Sequence, residues 1–111
     1  MNFKTLIAIP KFPRDVTIYW DIDNPYLSGT YVFTIEYGGT TQGPWTKLQD
    51  VYNSYSYTTK TFELLSNTIR SKIYFRVTCT PPEINKHREW EPFSQIISMY
   101  HGISDKHFRQ A

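Results

Sequence analysis

The residues best suited to chemistry are three histidines, one cysteine and an acidic pair. They are His87, His101 and His107, Cys79, and Asp21 with Asp23. Histidines that bind a metal from one helix stand three or four apart, and these do not. Zinc sites use several thiolates or imidazoles, and Cys79 has no second cysteine to join it. His87 lies in a charged stretch, where a solvated imidazole is expected. Asp21 and Asp23 with Asn24 could offer oxygens to a cation. The same residue types start turns by hydrogen-bonding the backbone, and that reading is preferred. There is no Gly-x-Ser-x-Gly elbow and no phosphate-cradling glycine loop. The expectation is a protein that is not an enzyme and carries no cofactor and no metal.

The elements that would have to position any site are strands. Val16, Ile18 and Trp20 alternate, as do Phe33, Ile35 and Tyr37, and Ile73, Phe75, Val77 and Cys79. Trp45 and Leu48 form a further apolar pair. Residues two apart on a strand share a face, so each run offers one side to a core. Strands are expected at Thr5–Ile9, ended by Pro10 and Pro13, and at Val16–Ile22. Others follow at about Tyr31–Tyr37, Trp45–Leu48, Thr58–Leu64, Lys72–Thr80 and Phe93–Tyr100. In the fifth, Thr59, Thr61 and Glu63 share one face, and Lys60, Phe62 and Leu64 the other. The segment DVYNSYSY reads as a loop or an irregular edge, and Gly38, Gly39 and Gly43 serve a turn. Seven strands with turn signals and no intervening helix predict an all-β, seven-stranded antiparallel sandwich. Residues 1–101 form this domain. Residues 102–111 form a tail in which Ser104 could cap a short C-terminal helical start.

The chain has 111 residues, enough for one core, with a formal charge of +2 and an aromatic share of 17%. The basic residues are scattered, which argues against nucleic acid as a partner. No segment approaches the apolar length of a membrane helix, and no membrane partner is expected. The single cysteine permits no intrachain disulfide, and its place on an apolar strand face makes it a small core residue. Neither Asn53 nor Asn67 is followed at the right distance by a hydroxyl residue, so no glycosylation acceptor is present. The opening residues lack the cleavage region of a secretory leader.

With those runs in order, the chain resembles the fibronectin type III superfamily over roughly residues 10–100. Val16-x-Ile18-x-Trp20 resembles its second strand, Phe33-x-Ile35-Glu36-Tyr37 its third, and Gly43-Pro44-Trp45-x-x-Leu48 the following turn and strand. Phe75-Arg76-Val77-x-Cys79 resembles the sixth strand and Ser94–Ser98 the last. One departure stands out. The family's corner tyrosine belongs two residues before Phe75, where this chain has Ile73, with Tyr74 one residue along. Either the corner bond is missing or a bulge turns Tyr74 inward. The resemblance implies a fibronectin type III-like or immunoglobulin-like sandwich acting as a noncatalytic structural or protein-interaction module. The lack of disulfides and acceptor sites favours a virion component of a tailed phage, at a neck, tail or capsid, assembled in the host cytoplasm. Its partners would be protein subunits of a multi-copy assembly. The alternative is an extracellular or cell-surface accessory module that binds a glycan or a protein receptor.

Binding surfaces are expected away from the alternating pattern. Tyr52, Tyr55 and Tyr57 stand among Asn and Ser, a composition suited to recognition. Alternatively, one or two of them fold over the sandwich edge. Arg88 and Trp90, in the 81–93 loop, could anchor an interface, or Trp90 could cap the core. Phe108 in the tail completes the set.

Overall fold

A computed structural model describes residues 2–11, 15–23, 29–60, 72–82 and 91–100. These hold seven strands and no helix: β1 (Phe3–Lys11), β2 (Asp15–Ile22), β3 (Val32–Gly38), β4 (Thr46–Tyr52), β5 (Ser56–Lys60), β6 (Lys72–Thr80) and β7 (Phe93–Tyr100). They form two antiparallel sheets, one in the order β1-β2-β5 and one in the order β4-β3-β6-β7. The chain is therefore all-β and sandwich-like, with sheets that face each other across a shared core.

The core follows the alternation in the sequence. Val16, Ile18, Trp20 and Ile22 point inward from β2, Phe33 and Ile35 from β3, and Ile73, Phe75, Val77 and Cys79 from β6. All are essentially inaccessible to water, and Leu6, Tyr31 and Met99 complete the cluster. Trp20 packs against Phe33 with ring centroids 5.2 Å apart, which joins the two sheets. Burying a residue such as Phe33 or Phe75 stabilises the fold by about 1.5–3 kcal/mol. Cys79 sits among them as a packing residue, and burial pushes its thiol up to about 12. The Asp residues near the end of β2 bond to backbone amides. Asp21 accepts from the Ile22 N–H at 2.9 Å and Asp23 from the Asn2 N–H at 2.8 Å.

Several expectations need correction. β1 does not stop before Pro10, which pairs with Val16, and the strand runs on to Lys11. β1 is an edge strand, where a residue with no N–H can sit without breaking a ladder. The fourth strand starts after Trp45 and reaches Tyr52. Asp50–Tyr52 belongs to β4, and only Asn53–Tyr55 turns before β5 begins. The fifth strand begins at Ser56, ahead of the expected Thr58. Tyr57 lies opposite Ile18 and Thr59 opposite Val16, so the face carrying Thr59 is the inner one. The remainder of the expected fifth strand, residues 61–64, lies outside the described residues, as does the tail 102–111 with its expected helical start.

Trp45 is not part of the core. It packs against Gly38 and Gly43 at the β3–β4 connection, under the Arg76 guanidinium, 4.7 Å from the ring centroid. Arg76 also donates to Glu36 at 2.8 Å across the outward face of the sheet. Gly43 has φ +83°, and a Cβ there would meet the Trp45 backbone nitrogen at 2.8 Å. Only glycine satisfies both constraints without strain.

The corner position is resolved by the pairing. β6 pairs without a register shift on both sides, with Tyr74 opposite Gly38 and Ser98. No bulge rotates it. Ile73 is fully buried, and Tyr74 takes the outward face with the Lys72 ammonium 5.7 Å from its ring.

Candidate functional site

The antiparallel pairing places one set of connections at a single pole of the sandwich. Val32 is flanked by Tyr52 on β4 and Thr80 on β6, while Cys79 faces Phe93 at the start of β7. The ends of β2 and β1 reach the same pole through Trp20, which packs on Phe33, and Phe3, which packs edge-on against Phe93 at 5.1 Å. The β4–β5 turn and the strand ends that flank the β2–β3 and β6–β7 connections therefore share this pole. Arg88 and Trp90 belong to the β6–β7 connection but lie outside the described residues, and so does Phe108 in the tail.

The three tyrosines are described, and they behave differently. Tyr57 is half-buried and packs on the core. Tyr55 lays its ring against Phe33 at 5.6 Å between centroids and keeps 40% of its surface exposed. Burial pushes its phenol above the ordinary value, with smaller contributions from Tyr31 and Asp21. Tyr52, at the end of edge strand β4, is 62% exposed. Two of the three, Tyr55 and Tyr57, cover the sandwich, and Tyr52 projects from it.

The turn between Tyr52 and Tyr57 is held at several points. Asn53 and Tyr31 bond reciprocally: the Asn53 N–H donates to the Tyr31 carbonyl at 2.8 Å, and the Tyr31 N–H donates to Asn53 Oδ1 at 2.8 Å. Trp20 Nε1 donates to the Ser54 carbonyl at 3.0 Å, and its main-chain N–H donates to the Tyr55 carbonyl at 3.1 Å. Asn53 has φ 50°, a left-handed conformation that Asn tolerates better than most residues. A side chain on such a turn loses little backbone freedom when it binds.

Beside Tyr52, an open depression of ≈ 370 Å³ is lined by Lys47, Leu48, Gln49, Asp50 and Tyr52. Its shape comes from a bulge. Ile35 pairs with Gln49 and Glu36 with Lys47, so Leu48 is the extra residue on β4. The bulge puts Lys47 and Asp50 on one face, where they pair at 2.7 Å. Asp50 also accepts from the Thr34 hydroxyl at 2.7 Å. Hydrogen bonds from Lys47 and then Thr34 hold the Asp50 carboxyl below its ordinary value, and the same ion pair raises Lys47. Sequence reasoning missed this strip because β4 was ended at Leu48, before Gln49 and Asp50.

A second surface was also missed. Ile7 is 51% exposed, Ile9 39% and Tyr19 38%, all on the outer face of the three-stranded sheet, with Ile7 directly opposite Tyr19. The signal was the run Leu6-Ile7-Ala8-Ile9, apolar on both faces of a strand.

Among the described residues no group of three or more His, Cys, Asp or Glu side chains is placed to hold a metal ion. Among the described residues there is no helix long and apolar enough to cross a membrane, which says nothing of a membrane barrel. No known protein family matches the chain, and no curated protein matches it.

Proposed function

We propose that the chain is a noncatalytic interaction module that presents one pole of a fibronectin type III-like sandwich to protein partners in a multi-copy assembly. The observation that carries this reading is Tyr52, 62% exposed beside a turn fixed by Asn53–Tyr31 and Trp20–Ser54 hydrogen bonds. A pre-organised aromatic with a polar tip is a good interface anchor. The fibronectin type III-like assignment is supported by strand order. In an immunoglobulin constant domain the fourth strand joins the sheet of the first, second and fifth. Here β4 pairs with β3 instead. Ile73 at the corner place is the departure that remains. Placement in a tailed-phage virion rests on the resemblance, with support from a lone cysteine buried in the core.

The test uses particles purified from the native source. The chain should be present in fixed multiple copies, and Tyr52→Glu should reduce its incorporation at least tenfold while the isolated domain stays folded. Absence of the chain from particles would overturn the virion placement, and normal incorporation of the variant would overturn the role of the pole.

A second reading is favoured by the depression beside Tyr52, where an aromatic face adjoins Gln49, Asp50 and Lys47. That combination suits a sugar, stacked on the ring and hydrogen-bonded at its hydroxyls. Binding on a glycan array that is lost in Tyr52→Ala would support it.

A further inference from the structure

Four strands have an edge without a strand partner among the described residues: β1, β5, β4 and β7. A free edge presents unpaired N–H and C=O groups, and natural sheets guard against pairing there with prolines, bulges, charges or short strands. Three of the four are guarded. β1 carries Pro10 and a register shift between Phe3 and Thr5. β4 carries the Leu48 bulge and the charges of Lys47 and Asp50. β5 has only five residues and ends on Lys60.

β7 has none of these devices. It runs eight residues, FSQIISMY, with no proline, glycine or charge. It pairs with β6 in unbroken register from Cys79–Phe93 to Lys72–Tyr100. β1 lies close beside it from the other sheet, with Phe3 against Phe93, and does not join its ladder. Ile96, outward-facing at mid-strand, is 38% exposed.

We propose that β7 pairs antiparallel with β7 of a second copy of this chain, about a twofold axis at Ile96, to make one continuous eight-stranded sheet. The strand is self-complementary in this register. A twofold axis normal to the sheet keeps inner residues opposite inner residues, so the sum of paired residue numbers must be even. Centring on Ile96 sets Ile96 against Ile96 of the second copy, Ser94 against its Ser98, Gln95 against its Ile97 and Phe93 against its Met99. Two half-exposed isoleucines cover each other, two serines face each other, and no charges are opposed. Isologous pairing of this kind closes at a dimer instead of growing into a filament. Self-pairing of β4 would have to accommodate a bulge in each copy. The proposal stands on the edge itself and does not require the reading of the Tyr52 pole, because β4 and β7 are opposite edges of one sheet.

Strand-to-strand pairing alone makes a small interface, so reversible association at about 10⁻⁶–10⁻³ M is expected. Sedimentation equilibrium should show monomer and dimer with no larger species. Ile96→Lys, at an exposed position, sets two like charges against each other at the axis and should weaken the dimer at least tenfold. Partner binding at the Tyr52 pole should be unchanged in that variant. Register is tested by mild oxidation. Ile96→Cys should form a disulfide dimer, as cross-strand Cα spacing of about 4.5–5.5 Å falls within disulfide reach. Ser94→Cys mixed with Ser98→Cys should cross-link, and either alone should not. A chain that is monomeric throughout that concentration range overturns the proposal. So does open-ended aggregation, or Ile96→Cys cross-linking no faster than Thr41→Cys in the exposed β3–β4 connection.

Discussion

Cys79 shows how far a single position can be read. On the apolar face of β6 it was expected to be a core residue, and it is fully buried. A thiol held at about 12 stays protonated near neutral pH, so it is a poor nucleophile in the folded state. The same shift has a stability consequence. The folded thiol titrates above the ordinary value of 9.0, so in the window between them the unfolded chain loses its proton first. Its contribution is complete below pH 9 and is lost as pH rises toward 12, at up to about 1.4 kcal/mol per pH unit. Denaturant unfolding of the native chain and of Cys79→Ala should therefore converge as pH is raised through this window, because tyrosines and lysines titrate in both. A constant difference between the two proteins would contradict the assignment. The corner position, two strand positions before Phe75, was less legible. The sequence leaves open whether Tyr74 turns inward, because a bulge is a backbone event with no residue signature here. The unbroken β3–β6 and β6–β7 pairings decide it for Ile73.

At the scale of elements, strands with regular alternation were readable and strands of mixed composition were not. β6 and β7 have the boundaries expected from alternation. β4 and β5 did not reveal theirs. Their side chains are mixed, since an edge strand buries only part of each face, and the bulge at Leu48 interrupts the period of two. The short turn between them depends on Asn53, which supplies both a left-handed backbone and the oxygen that receives the Tyr31 amide. These two roles separate by mutation. Asn53→Gly keeps the backbone conformation and loses the side-chain bond, at a cost of about 1 kcal/mol. Asn53→Ala loses the bond and also forces alanine into the left-handed region, adding about 1 kcal/mol more. Chemical denaturation should rank them native, Gly, Ala. An alanine variant as stable as the glycine variant would mean that the turn relaxes out of the left-handed region. Trp45 teaches a related lesson. It counted as a core residue by hydrophobicity, yet a tryptophan just before a strand can lie over a glycine-lined turn with a guanidinium on its ring.

For the whole molecule, topology sets expectations that no single residue does. β2 pairs with β5 across 41 residues of sequence at Thr17–Thr58, and β3 pairs with β6 across 40 at Glu36–Arg76. Such pairings require large loops to close before any contact is gained, so folding in about milliseconds to seconds is expected. Stopped-flow fluorescence should follow it, since Trp20 passes from water into the core. Microsecond folding would indicate that the sheets are assembled from more local contacts. The sandwich itself was legible because alternation was strong on its central strands. The partner-facing features were not, because exposure at Tyr52, Ile7 or Ile96 depends on which strands lie beside them.

The contact between Phe3 and Phe93 also fixes a direction. β1 and β7 both leave this pole and run the same way, so residue 3 sits at one end of the sandwich and residue 100 at the other. A pull applied between those two residues acts along the strands. It would load the β1–β2 and β6–β7 ladders in shear, with many hydrogen bonds resisting together, instead of unzipping them one by one. Along that line, its mechanical strength should be set by the registers of its two outermost strand pairs.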